Sequence, residues 1–295
     1  MFAAIVTSAD TAVGDGKLRI FVADRDGSNV KLLVEIPGAD YHGSPHWSAD
    51  GKLILLNAMP GDRQYQLARI YACAVGGPFN GNVVDMGVGG YARFSPDMKR
   101  ISFHVRAGNP DNLQPGIWTM RDDGTDRKRL CDGTRPRWTA DGNSLVFVSP
   151  QGNSIEIVNA DGTGQRLLLS KAAFPSVAGV AISPDGKHLC CIAYPQQVYD
   201  GVLYRVPIDD PAAEPTIVYR GKLGWDPAWS PDGQEILFWL LEENGDRHIV
   251  AVDADGKNPP RKLANQVGTR LNTDPEWSPD SRRILFSSDR DVPAQ

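Results

Sequence analysis

Six copies of one five-residue motif run through this chain at near-constant spacing. The clearest is Trp229-Ser230-Pro231-Asp232-Gly233. The others are Trp47-Ser48-Ala49-Asp50-Gly51, Phe94-Ser95-Pro96-Asp97-Met98, Trp138-Thr139-Ala140-Asp141-Gly142, Ile182-Ser183-Pro184-Asp185-Gly186 and Trp277-Ser278-Pro279-Asp280-Ser281. Their aspartates are separated by 47, 44, 44, 47 and 48 residues. A recurrence of this length marks a repeat architecture, in which one supersecondary unit is copied and stacked.

Each motif has a physical reading. A large apolar residue ends a strand, Ser or Thr and Asp bond to nearby backbone, Pro presets φ for a turn, and Gly supplies a positive φ. A short apolar run follows every turn, as in Leu53-Ile54-Leu55-Leu56, Leu145-Val146-Phe147-Val148 and Ile236-Leu237-Phe238-Trp239. These read as second strands. A third strand, such as Arg69 to Ala72 or Ile155 to Val158, commonly ends in an Asp-Gly turn, and a short fourth strand such as Arg166 to Leu169 closes the unit. Four antiparallel strands repeated six times predict an all-β chain, a six-bladed β-propeller of four-stranded antiparallel blades. The blades fall at about 41–88, 89–134, 135–175, 176–222, 223–270, and 271–295 together with 1–40, all within one domain, 1–295.

The Trp-Ser-Pro-Asp-Gly repeat, followed by Ile-Leu-Phe strands and Asp-Gly turns, resembles the propeller of the TolB family over nearly the whole chain. The resemblance is specific for fold and unspecific for function. Propellers of this type serve as docking modules, as entry filters on peptidases, and in some lyases.

The ends have to close the ring. Asp274 to Phe286 supplies two strands of a blade, and Lys17 to Ala23 with Asn29 to Ile36 supplies the other two, so both termini complete the sixth blade and remove its open edges. One strand is then left over. Ala3 to Thr7 also reads as a second strand, so either it or Arg283 to Ser287 is displaced to an edge or pairs with another molecule.

Composition narrows the partners. The 36 acidic and 31 basic residues are well mixed, for a net charge of −5. There is no basic tract of the kind nucleic acid requires. No apolar run is long enough for a membrane span. Met1 to Val6 is too short and lacks the basic flank of a secretory signal, which leaves a periplasmic protein with its signal removed and a cytoplasmic protein both open. Cys73, Cys131, Cys190 and Cys191 lack metal-ligand spacing and read as free packing residues, with Cys190 and Cys191 on opposite faces of one strand.

In a propeller the first strand of each blade lines the central channel. The residues one and three places before the aromatic slot share a side of that strand. They are His46 and Ser44, Arg93 and Tyr91, Arg137 and Arg135, Ala181 and Gly179, Ala228 and Asp226, Glu276 and Asp274. Basic residues gather in the first three repeats and acidic ones in the last two. This predicts a channel mouth positive on one side and negative on the other, suited to a ligand with a carboxylate at one end and a cation at the other, such as a peptide terminus. The competing expectation is that Arg93 and Arg137 pair across water with Glu276 and the aspartates. The ligand-binding candidates are His46, Tyr91, Arg93, Arg135, Arg137, Asp226, Asp274 and Glu276.

Other chemistry finds little support. His42 and His46 flank Gly43-Ser44-Pro45, which reads as a loop, and His104, His188 and His248 fall at unrelated blade positions, so no metal set is assigned. Asp24-Arg25-Asp26-Gly27-Ser28 with Glu35 lacks the glycine placement and flanking helices of a calcium loop, and reads as hairpin turn chemistry. No Gly-x-Ser-x-Gly elbow is present. No catalytic residue and no cofactor is assigned. The leading expectation is a non-enzymatic module binding a protein or peptide at the channel face, with a small anionic ligand as a further partner class. The alternatives are a lyase or hydrolase acting on acidic sugars, with His46, Tyr91, Arg93 and Arg137 at the channel mouth, and a structural propeller domain of a larger protein.

Overall fold

The computed structural model describes residues 16–61, 64–76, 83–169, 176–195, 200–210, 213–266 and 269–291. Among these are twenty-four strands and one 3-10 turn, Tyr65–Leu67. The strands form six four-stranded antiparallel sheets, so the protein is a six-bladed β-propeller.

Blade one runs Tyr41–Trp47, Leu53–Met59, Arg69–Ala74, Val83–Val88, and blade two Gly90–Phe94, Arg100–Val105, Gly116–Arg121, Lys128–Cys131. Blade three is Thr134–Trp138, Ser144–Val148, Ile155–Asn159, Arg166–Leu169, and blade four Val177–Ile182, His188–Ala193, Asp200–Pro207, Thr216–Lys222. Blade five is Ala228–Trp229, Glu235–Leu241, Arg247–Asp253, Arg261–Lys262. The first strands of neighbouring blades touch one another around the ring and form the channel wall.

Blade six is built from both ends of the described chain, in the order Lys31–Val34, Arg19–Asp24, Arg283–Ser288, Asn272–Trp277. Phe21 pairs with Phe286 and Ala23 with Ile284. Arg283–Ser288 is therefore the second strand of the closing blade and is not displaced. Ala3 to Thr7 lies outside the described residues.

The core is divided among the interfaces between blades. Six apolar clusters fill them, one per interface. Second strands are buried on both faces and so are apolar at successive positions, as sheets covered on both sides require. Adjacent Cys190 and Cys191 illustrate this: Cys190 packs toward blade five, Cys191 toward blade three. All four cysteines are free and buried. Burial pushes the Cys73, Cys131 and Cys190 thiols up to about 12, so they are packing groups and not nucleophiles.

Blade five has an outer strand of only two residues. The buried Gln266 side chain extends its ladder: it accepts from Ile249 N–H at 2.6 Å and donates to Ile249 C=O at 2.8 Å and Leu263 C=O at 3.0 Å.

Candidate functional site

The six motif turns all close the same way. The Ser or Thr hydroxyl donates to the Asp two residues on, at 2.5–2.7 Å in every copy. The carboxylate also accepts the backbone N–H two residues beyond it, for example Lys52 at 3.1 Å and Arg282 at 3.1 Å. Hydrogen bonding to the ionised form holds the Asp50, Asp97, Asp141, Asp185 and Asp280 carboxyls below their ordinary value, the hydroxyl contributing most. These aspartates build turns, and the turns form the rim of one end of the channel.

Below the rim, the inner strands are not regular. A one-residue register shift falls between Gly43 and His46, Gly90 and Arg93, Thr134 and Arg137, and Thr273 and Glu276. Within or beside each such kink sits a non-glycine residue of positive φ: Ser44 at 50°, Tyr91 at 53°, Arg135 at 55° and Asp274 at 51°. Asp226, at the matching place in blade five, stands at 64°. Four of these five precede proline, a neighbour that ordinarily pushes the preceding residue to extended backbone. Left-handed backbone costs such residues on the order of 1–3 kcal/mol each and gathers at functional sites. A bulge of this kind re-aims a side chain.

The residues one place before the aromatic slot line a cavity of about 470 Å³ at the channel mouth, between rim prolines Pro96, Pro184, Pro231 and Pro279. His46, Arg93, Arg137 and Glu276 supply its charges, and Ala181 and Ala228 leave room on the opposite side. Arg93 lies 3.7 Å from Glu276, and His46 Nδ1 lies 3.2 Å from the other Glu276 oxygen. Arg93 also donates to the Ser44 and Ala92 carbonyls at 3.1 and 3.0 Å. Burial would raise the Glu276 carboxyl, but Arg93 and His46 outweigh it and it stays ionised below its usual range. Burial, with Arg93 adding to it, lowers the His46 imidazole against the pull of Glu276. Burial and then Arg93 push the Arg137 guanidinium down to about 10.

The residues three places before the slot form a deeper, drier tier. Arg135 Nε and Arg137 Nη2 stand 3.6 and 3.8 Å from Asp226 Oδ1. Neither Asp226 oxygen accepts a hydrogen bond from the described residues, although the side chain is almost wholly buried. Arg135 lies over the Tyr91 ring at 5.1 Å, donates to the Tyr91 hydroxyl at 3.3 Å and to the Ala178 carbonyl. Asp274 Oδ2 accepts from Ser44 N–H at 3.2 Å, Tyr41 O–H at 3.3 Å and Ser287 O–H at 3.4 Å. Burial, then the nearby Asp226 carboxylate, raise the Asp274 carboxyl to about 6.

All eight candidate residues therefore come together in one channel. Their charges do not stay segregated: arginines and acids meet, at separations too long for good hydrogen bonds. The histidines need correcting. Tyr41–Trp47 is a strand and not a loop. His42 is fully buried; it accepts from Ile36 N–H at 2.6 Å and its Nδ1 meets the Leu18 carbonyl at 2.6 Å, so it braces the strand ends. His104, read as unrelated, reaches the site: its Nδ1 accepts the Arg135 backbone N–H at 3.1 Å and its ring lies 5.0 Å from Tyr91. Tyr41 and Ser287 were missed. The one available signal was the proline at this place in four of the six inner strands, Pro45, Pro136, Pro227 and Pro275, which marks an irregular strand. Among the described residues no group of three His, Cys, Asp or Glu side chains could hold a metal ion, and no helix is long and apolar enough to cross a membrane.

Residues 151–295 match the family model described as the TolB beta propeller domain. No curated protein matches the chain by sequence. Among solved structures, it is similar to a protein from Agrobacterium tumefaciens described as TolB, with 19% identity, a TM-score of 0.73 and coverage of 94% of this chain and 99% of that one. It is similar also to TolB from Acinetobacter baumannii, with 18% identity and a TM-score of 0.65 over 94% of this chain; the match spans 65% of the Acinetobacter chain. An oligogalacturonate lyase solved in complex with manganese shares the fold at 15% identity and a TM-score of 0.55, over 81% of this chain and 72% of the lyase. The family match over residues 151–295, the repeat motif and the ring closure agree on the fold: the chain is a six-bladed β-propeller, similar to that of TolB.

Proposed function

We propose that this propeller is a non-enzymatic binding module that takes a segment of a protein partner into the mouth of its channel. The observation that carries this reading is the two-tier ring of buried charges whose mutual contacts are long. Arg93–Glu276 and Arg137–Asp226 sit at 3.7 and 3.8 Å, and both Asp226 oxygens stay without a hydrogen bond. Buried polar atoms are normally paired, and five left-handed residues hold these groups in place at a cost in stability. A polypeptide terminus supplies a carboxylate for Arg93 and Arg137, whose hydrogen bonds go to backbone carbonyls, and the donors that Asp226 lacks. The rim prolines and tryptophans add the apolar floor on which an extended chain rests.

The acidic-sugar reading is weaker because the channel groups that could move a proton are already engaged: Asp274, whose carboxyl is raised to about 6, accepts from Ser44, Tyr41 and Ser287 in the deeper tier. Burial pushes the Tyr91 hydroxyl up to about 12, His104 already accepts the Arg135 N–H, and His46 is held by Glu276.

Phage-displayed random decapeptides selected on the immobilised protein test the proposal. Selected peptides should bind wild-type protein and lose at least tenfold in affinity to Arg137→Ala, with no turnover of peptide or of oligogalacturonate. A selection yielding only peptides indifferent to Arg137 and Arg93 would overturn it.

A further inference from the structure

The channel mouth is joined on its own face by a second concavity. A groove of about 840 Å³ lies on the same face, between the turn Asp24–Ser28 of blade six and the motif turns of blades five and six. Pro231 and Pro279 line this groove and the mouth cavity alike, so the two are joined over that pair of prolines. Small-molecule sites commonly occupy about 300–1,000 Å³. Mouth and groove each fall in that range, and together they exceed it.

We infer that the partner segment is an extended polypeptide whose end sits in the channel and whose chain leaves over Pro231 and Pro279 to lie in the groove between blades five and six, presenting a basic side chain there. This rests on the reading of the channel as a peptide site. The charges of the groove select the side chain. Its floor is already neutralised: Arg25 binds Asp232 at 2.7 Å and Glu235 at 2.8 Å while lying over the Trp277 ring at 5.0 Å, and Arg261 binds Glu235 at 2.9 Å. The carboxylates of the walls are not. Asp24 accepts from Asn29 and Ser28, Asp26 from Ser28 N–H, and Asp280 from Ser278 and Arg282 N–H, all neutral donors; among the described residues none of the three is in an ion pair, although Arg261 is near enough to act on Asp26, and Arg283 and Arg282 on Asp280. Among the described residues that line the groove, Arg282 is the wall cation outside the floor network. Three carboxylates against Arg282 and the neighbouring Arg283 still leave the groove net negative, and a Lys or Arg of the incoming chain completes it.

The test uses the Arg137-dependent decapeptides from the selection, each with a version truncated to its four channel-end residues. The double variant Asp24→Asn/Asp26→Asn keeps the turn's hydrogen-bond acceptors and removes two charges. Expected are a Lys or Arg enriched beyond the fourth residue, at least tenfold weaker binding of the truncated peptides, and a three- to tenfold loss for the decapeptides on the double variant with none for the tetrapeptides. Equal affinity of decapeptide and tetrapeptide, both still dependent on Arg137, overturns the groove and leaves the channel reading standing. Absence of any Arg137-dependent peptide overturns both.

Discussion

Ser281 occupies, at φ 58°, the place that glycine fills in four of the motif turns, at φ 69–74°. A side chain there costs about 1–2 kcal/mol of left-handed strain, partly offset because glycine loses more chain entropy on folding, about 0.5–1 kcal/mol. Ser281→Gly should therefore stabilise the fold by about 0.5–1 kcal/mol, read as a rise in the urea midpoint at constant slope. The Arg25 bond to the Ser281 carbonyl is backbone and survives. Asp274 makes a second prediction. Its folded pKa of about 6 lies above the ordinary 3.8, so above pH 6 it is ionised in both states and the full burial penalty is present. That penalty vanishes as pH falls toward the unfolded value. Asp274→Asn keeps an acceptor for Ser44, Tyr41 and Ser287 and removes the charge. It should gain on the order of 1–3 kcal/mol over wild type at pH 8, a gain that disappears by about pH 4 in paired denaturation curves.

At the scale of single elements, the second strands and motif turns were readable because their cause is local: two-sided burial writes continuous apolar runs, and a turn writes Pro, Asp and Gly. The inner strands were readable in position and misread in shape. His42 to His46 looks like a loop because Gly and Pro interrupt it, yet the ring pairs it as a strand with one bulge. Nothing local announces that Tyr41 meets Asp274, 233 residues away, or that His104 props Arg135, because those contacts exist only once the ring is closed. Gln266 was equally silent, since its job depends on a neighbouring strand being two residues long. Gln266→Leu should leave Ile249 N–H without an acceptor and cost about 1–3 kcal/mol, with amide exchange at Ile249 accelerating before that of blades two and three.

At the scale of the whole molecule, closure does two things. It places Arg19–Asp24 against Arg283–Ser288, so that no second or third strand of blade six is left as an edge. It also brings Glu276 and Asp274 of the last repeat against His46 and Tyr41 of the first, so fold integrity and channel chemistry depend on the same seam. The central claim is that the mouth of this channel is where the partner segment enters. Ala181 faces that mouth at a position where other blades carry His, Arg, Arg and Glu, so the strand accommodates a long side chain there, and Ala181→Trp fills the cavity without touching a charge. The decisive measurement is a calorimetric titration of an Arg137-dependent decapeptide into wild type and Ala181→Trp. The account predicts at least a hundredfold weaker binding to a variant that still melts cooperatively, and an unchanged dissociation constant would contradict it.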